Sequence, residues 1–331
     1  MDKRLAAVTS FLVMVMCFVC PGADPKTESP ENLAPKPKTS ANSEYGNDYL
    51  AGFVADGQIP SADSKTAKPG PLPVIDFPLV DYHVHLKGGL TLEQAIEISK
   101  KNGVKFGIAQ NCGLGFPVTD DEGARRFIKE LRNKPVYVGM QAEGREWLKL
   151  FSKEVIAEFD YVLTDALTFT DNDGRRTRLW MKDEVHIDDK PAGAWAGKQA
   201  FMDMYVDKIV SIISNEPIDI FANATFLPEV IAAEYDTLWT KERAAKVINA
   251  AVKNKVAIEI NARYHIPSPA FIRQAKKAGA KFSLGTNNGD KELGNLEYCR
   301  RMIKECGLTK KDFFTPKPPG QKPVQRPRPA G

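Results

Sequence analysis

Between residues 71 and 315, short apolar runs alternate with amphipathic segments, and this alternation constrains the fold more than any other feature of the chain. Buried parallel strands joined by crossover helices produce such a pattern. Seven runs read as strands, at 79–85, 105–109, 136–142, 161–165, 218–222, 257–261 and 281–285. Helices are predicted over 91–102, closed by Gly103, over 120–133, opened by a Thr119 cap with Glu122 three residues on, and over 198–214, 241–253, 269–277 and 293–306. Repeated right-handed crossovers roll such a sheet into a barrel. The expected class is therefore α/β: a seven-stranded (β/α) barrel, TIM-like, with its chemistry at the C-terminal ends of the strands.

A barrel of this kind takes about 250 residues, so a chain of 331 has ends to spare. Asp2, Lys3 and Arg4 precede an apolar stretch from Leu5 to Val19, too short to span a bilayer comfortably and in signal-peptide order, with small residues at Gly22 and Ala23. Residues 1–23 are read as an export signal, which places the mature chain in the periplasm or outside the cell; an uncleaved membrane anchor is the alternative. Residues 24–70 are rich in Pro, Ser, Lys and Asn without sustained period, the composition of a linker with no face to bury. Residues 316–331 hold six prolines and are expected to form an extended, disordered tail. No transmembrane domain is expected once the signal is cleaved.

Charge excludes one class of partner. The net charge is +4, but Lys317, Lys322, Arg326 and Arg328 sit in the tail, so the body is nearly neutral and carries no basic field for nucleic acid. A small molecule is the expected partner. Once Cys17 and Cys20 leave with the signal, three cysteines remain without a CxxC, which argues against a disulfide framework. The stretch 168–198 interrupts the strand–helix rhythm after strand four. Its Asp171-Asn172-Asp173-Gly174 turn predicts a hairpin or lid over the mouth, and its acids do not have calcium-loop spacing.

The sharpest chemical signal is Asp81-Tyr82-His83-Val84-His85 at the end of the first strand. Residues two apart on a strand face the same side, so both imidazoles should point into the mouth and share a divalent metal. Paired structural histidines are the competing explanation. The chain has only four histidines. Of the others, His186 falls in the predicted lid as an acid/base candidate, and His265 follows strand six beside Arg263, which is suited to clamping a phosphate or carboxylate.

With Gly89-Leu90-Thr91-Leu92-Glu93 after the HxH, Glu143 after strand three, Glu259-Ile260-Asn261 on strand six and Phe282 to Asn287 on strand seven, the chain resembles the polymerase and histidinol phosphatase (PHP) superfamily of metal-dependent phosphoesterases. The resemblance implies a distorted seven-stranded barrel that activates water with divalent ions such as zinc, manganese or magnesium. It is incomplete. The family's Asp-His after strand two is Asn111-Cys112, its later histidines fall on Asp165 to Leu167 and on Asn223, and its final Asp-x-His is Asn287-Asn288-Gly289. The implied metal set is His83, His85 and Glu143, completed by Asp165, Cys112 or Asn223, with fewer ions than usual because Asn supplies a neutral carbonyl. Glu143, His186 and His265 are the implied catalytic groups, and Arg263, Asn261, Asn287 and Asn288 the substrate contacts. The expected function is an exported, metal-dependent, PHP-like hydrolase, with phosphoesters as the substrate class. The alternatives are a catalytically silent barrel that binds a ligand or partner, and an amidohydrolase-like hydrolase.

Overall fold

The computed structural model describes residues 71–170, 176–185, 187, 197–289, 293–321 and 324. The export signal, the linker, His186, the hairpin turn and most of the tail lie outside the described residues. Among the described residues no helix is long and apolar enough to cross a membrane.

Strands β1 (Leu79–Val84), β2 (Val104–Cys112), β3 (Tyr137–Ala142) and β4 (Tyr161–Thr164) pair in order. After the small antiparallel hairpin of β5 (Thr168–Thr170) and β6 (Arg176–Arg178), the barrel continues with β7 (Ile220–Phe221), β8 (Ala257–Asn261) and β9 (Phe282–Gly285). The sheet closes as β1-β2-β3-β4-β7-β8-β9, every pair parallel. All seven predicted strands and the predicted hairpin are present. The strand from 218 to 222 narrows to two residues, because Asp219 gives its carboxylate to the Val162 amide and Asn223 turns away with φ 52°.

The helices form where capping and apolar spacing coincide. Helix α1 (Leu92–Asn102) starts at a Thr91–Gln94 capping box and stops at Gly103, whose φ of 63° suits glycine. Helix α2 (Asp121–Leu131) is capped by Asp120, whose carboxylate accepts from the Gly123 amide, and not by Thr119 as its spacing suggested. Both side chains cap well, and the register of the buried Ala124, Phe127 and Ile128 selects Asp120. The last helix opens at Glu297, four residues later than predicted, because Gly294 has φ 69°. Of the described tail residues, the Gly320 amide donates to the Ala157 carbonyl at 3.0 Å, and Val324 packs against the core.

Two apolar clusters result, one between the sheet and the helices and a smaller one inside the barrel. Tyr161 fills much of the interior. Its hydroxyl donates to the Tyr82 carbonyl at 2.7 Å, and its ring lies against Gly107 and Gly139, where any Cβ would overlap it. Gly107→Ala should cost about 1–3 kcal/mol by overpacking, and Tyr161→Phe should relieve it, since the hydroxyl is the nearest atom at 2.5 Å. Gly139→Ala should not be rescued, because ring carbons as well as the hydroxyl crowd its Cβ. Chemical denaturation of the single and double variants checks this pattern.

Candidate functional site

Partners across a parallel ladder face the same side, and β1 breaks its own alternation. Asp81 pairs with Phe106 and Val84 with Ile108, so two residues of β1 oppose one of β2. This bulge turns both Tyr82 and His83 inward, and His85 follows on the same side. Tyr82 joins the lower apolar interior with Tyr161, while His83 enters the polar layer above. The Asp81 carboxylate pins the turn by accepting from the His83 amide at 3.1 Å and from the Thr286 amide and hydroxyl at 3.0 and 2.6 Å.

His83 is fully buried and spoken for at both nitrogens. Nδ1 lies 2.5 Å from Glu259 Oε1 and Nε2 lies 3.1 Å from Gln141 Oε1. Burial would lower the imidazole's proton affinity, but the Glu259 charge and hydrogen bond, with Asp165 and Asp81 further off, raise it overall. Glu259 shows the converse: burial alone would raise its pKa, and His83, Asn261 and the Asn223 amide hold it low. Both observations describe an imidazolium–carboxylate pair. Gly285 makes room for it, since a Cβ there would strike Glu259 Oε1 and lie 2.7 Å from His83 Cβ.

His85 is different. Its Nδ1 donates to the Ala109 carbonyl at 2.8 Å, which leaves the lone pair on Nε2, and burial with the nearby Lys87 and His83 charges keeps it neutral. The Asn288 amide clasps its backbone, accepting from the His85 amide at 2.7 Å and donating to its carbonyl at 2.9 Å. Glu143 accepts from Asn111 Nδ2 at 2.7 Å, and burial together with the charge of Asp165 pushes its pKa to about 7. Asp165 accepts from Asn223 Nδ2 at 2.9 Å and from the Leu167 amide at 3.0 Å, and burial raises it too.

The neutral amides bind one another. Asn261 Nδ2 donates to Asn223 Oδ1 and Glu259 Oε2, at 2.9 and 3.0 Å, and Asn287 Nδ2 reaches the same Asn223 oxygen at 3.5 Å. Asn223, Asn261 and Asn288 therefore spend their side chains inside the protein. Arg263 lies half-buried at the rim and donates to the Asn287 carbonyl at 2.9 Å.

Two expected residues stand elsewhere. Cys112 follows Asn111 by one residue, so it faces the helices; it is buried in the outer apolar cluster with its thiol directed to the Gln110 carbonyl, and burial, then the charge of Glu143, raise its pKa. His265 is exposed and stacks on Tyr298, ring centroids 5.0 Å apart. Three residues that the sequence reading passed over belong to the site. Gln141 sits two residues before Glu143 on β3, and that parity was legible. Lys87 follows the HxH closely enough for its charge to be felt by His85 and Glu143. Arg145 binds Glu216, Thr164 and the Asp165 carbonyl, a placement that no local pattern announced.

The PHP resemblance implies metal ions, and the donor chemistry does not fit them. A ligating histidine must offer a lone pair, whereas both nitrogens of His83 are engaged by side-chain oxygens. Among the described residues no three His, Cys, Asp or Glu side chains are grouped to hold an ion.

The Asn288 clasp can be tested without reference to any ligand. Asn288→Asp keeps the acceptor for the His85 amide but turns a carboxylate oxygen toward the His85 carbonyl, so it should cost more than Asn288→Ala, by about 1–3 kcal/mol. Urea denaturation of both variants measures the difference.

Among solved structures, the chain shows a distant likeness to the crystal structure of histidinol phosphate phosphatase from Lactococcus lactis subsp. lactis Il1403 complexed with zinc, L-histidinol and phosphate. Sequence identity is 15% and the TM-score 0.48, over 70% of this chain and 94% of that one. No family model and no curated protein matches.

Proposed function

We propose that the chain binds a small polar molecule carrying an anionic group, in the barrel mouth above the His83–Glu259 layer. The division of charge around the mouth carries this reading. Lys87 follows β1 and Arg263 follows β8, and β8, β9 and β1 are consecutive in the barrel. Glu143 and Asp165 follow β3 and β4, which are also neighbours. One side thus presents cations suited to a phosphate or carboxylate, and the other presents acceptors for a hydroxyl or amine. Glu259 adds no charge to this balance, since His83 offsets it inside the protein, and Glu216 pairs with Arg145 at 2.9 Å.

Phosphoester hydrolysis is the second reading, favoured by the fixed tautomer of His85 and the adjacent carboxylates of Glu143 and Asp165. In that reading His85 Nε2 and Glu143 are the groups able to take a proton from water. The divalent-metal form of hydrolysis is the version the donor set supports least. Export completes the proposal, resting on the charged start, short apolar run and small residues of 1–23. Terminal sequencing of exported protein should find the chain starting near Asp24, and intact Met1 in the cytoplasm would refute it.

The test of binding is a calorimetric titration of the mature chain with small phosphorylated and carboxylated compounds. At least one class should bind, and Arg263→Ala and Lys87→Ala should each weaken it by about tenfold or more. Variants that bind as the wild type does would sink the charge-division argument. Phosphate release from a bound phosphoester, lost in Glu143→Gln, would move the assignment to the hydrolase.

A further inference from the structure

We infer that the centre of this barrel is closed by the His83–Glu259 ion pair in place of a divalent metal, so that the chain folds and holds its mouth open to ligand with no bound ion. The inference goes beyond the binding proposal and does not depend on which ligand the mouth takes.

A metal at strand ends does two things: it takes lone pairs from side chains of several strands, and it ties those strands together. Here the lone pairs are already taken. His83 Nδ1 is 2.5 Å from Glu259 Oε1, and Nε2 is 3.1 Å from Gln141 Oε1. Glu259 is equally committed. Its Oε2 accepts from the Asn223 amide at 2.9 Å and from Asn261 Nδ2 at 3.0 Å. An ion at His83 Nε2 would have to displace the Gln141 oxygen, and one at Glu259 would have to displace the hydrogen bonds of His83, Asn261 or the Asn223 amide.

The strands are also already tied. His83 stands on β1, Gln141 on β3, Glu259 and Asn261 on β8, and Asn223 just after β7, so one connected set of side chains spans four strands of the closed sheet. Asn287, beyond β9, adds a fifth through its amide, which donates to the His83 carbonyl at 2.8 Å. Gly285 supplies the space, because any side chain there would push Glu259 off His83. The other donors do not regroup around an ion. Cys112 faces the outer cluster, and Asn223 and Asn261 bond to each other.

The experiment uses the mature chain purified from cells grown with added zinc and manganese. Elemental analysis should find less than about 0.1 ion per chain, and the melting temperature should not move with EDTA or with added zinc or manganese. Glu259→Gln, which leaves the buried imidazolium without its counter-charge, should lower the melting temperature by about 10 °C. A near-stoichiometric ion that His83→Gln removes would overturn the inference, as would a wild-type melting temperature that falls on chelation. An unchanged melting temperature in Glu259→Gln would overturn the pair as the fastener. If either variant fails to fold, the wild-type ion content and chelator melt decide alone.

Discussion

Tyr161 reaches from β4 across the inner faces of β3 and β2 to the backbone of β1, and the rest of the barrel is arranged around that ring. A seven-stranded barrel encloses little volume, and close packing leaves no room for redundancy within it. The ring fits because β2 and β3 present Gly107 and Gly139 where it passes. Its hydroxyl ends on the Tyr82 carbonyl, beside the bulge that swings His83 inward. Phe314 and Tyr137 pack against Tyr82 from below, so the lower interior is lined by aromatic rings. Polar chemistry is confined to the upper layers.

Those layers differ in how their charges are met. His83 and Glu259 satisfy each other, and the surrounding amides take up the remaining hydrogen-bonding capacity of Glu259. A buried pair of this kind contributes little net stability by itself, but removing one member leaves an isolated charge in a low dielectric and costs several kcal/mol, on the order of 3–5. Glu143 and Asp165 stand one layer higher, are alike in charge when ionised, and accept hydrogen bonds from the side-chain amides of Asn111 and Asn223. Their raised proton affinities follow from burial first, with mutual repulsion adding at Glu143. The hydrogen-bonding capacity of the lower layer is thus taken up within the protein, and the upper layer carries the charges on which the proposed ligand site rests.

Arg145 links the two carboxylate strands to the helical shell. It reaches the Thr164 hydroxyl and the Asp165 carbonyl on one side and Glu216 on the other, while the Trp147 indole donates to the second oxygen of Glu216. Its Nε is buried with no hydrogen-bond partner, so the guanidinium is held by its two ends. The position of Asp165 therefore depends on contacts made well outside the mouth.

The sequence by itself determined the barrel, because burial on both sheet faces forces apolar runs and crossover helices force amphipathic ones, and both periods are local. It also determined that His83, His85, Glu143, Asp165 and Arg263 gather at one end, since strand ends of a parallel barrel share a side. Parity could have gone further, placing Gln141 with Glu143 and turning Cys112 away from Asn111. Tertiary structure alone decided what His83 is for. Whether an imidazole offers a lone pair or gives up a hydrogen depends on what lies across from it, and Glu259 is 176 residues away along the chain. The bulge in β1 is equally nonlocal, because two residues opposing one exists only once β2 is in place. Spacing brought the two histidines to the mouth, and the partners met there gave one of them to the core.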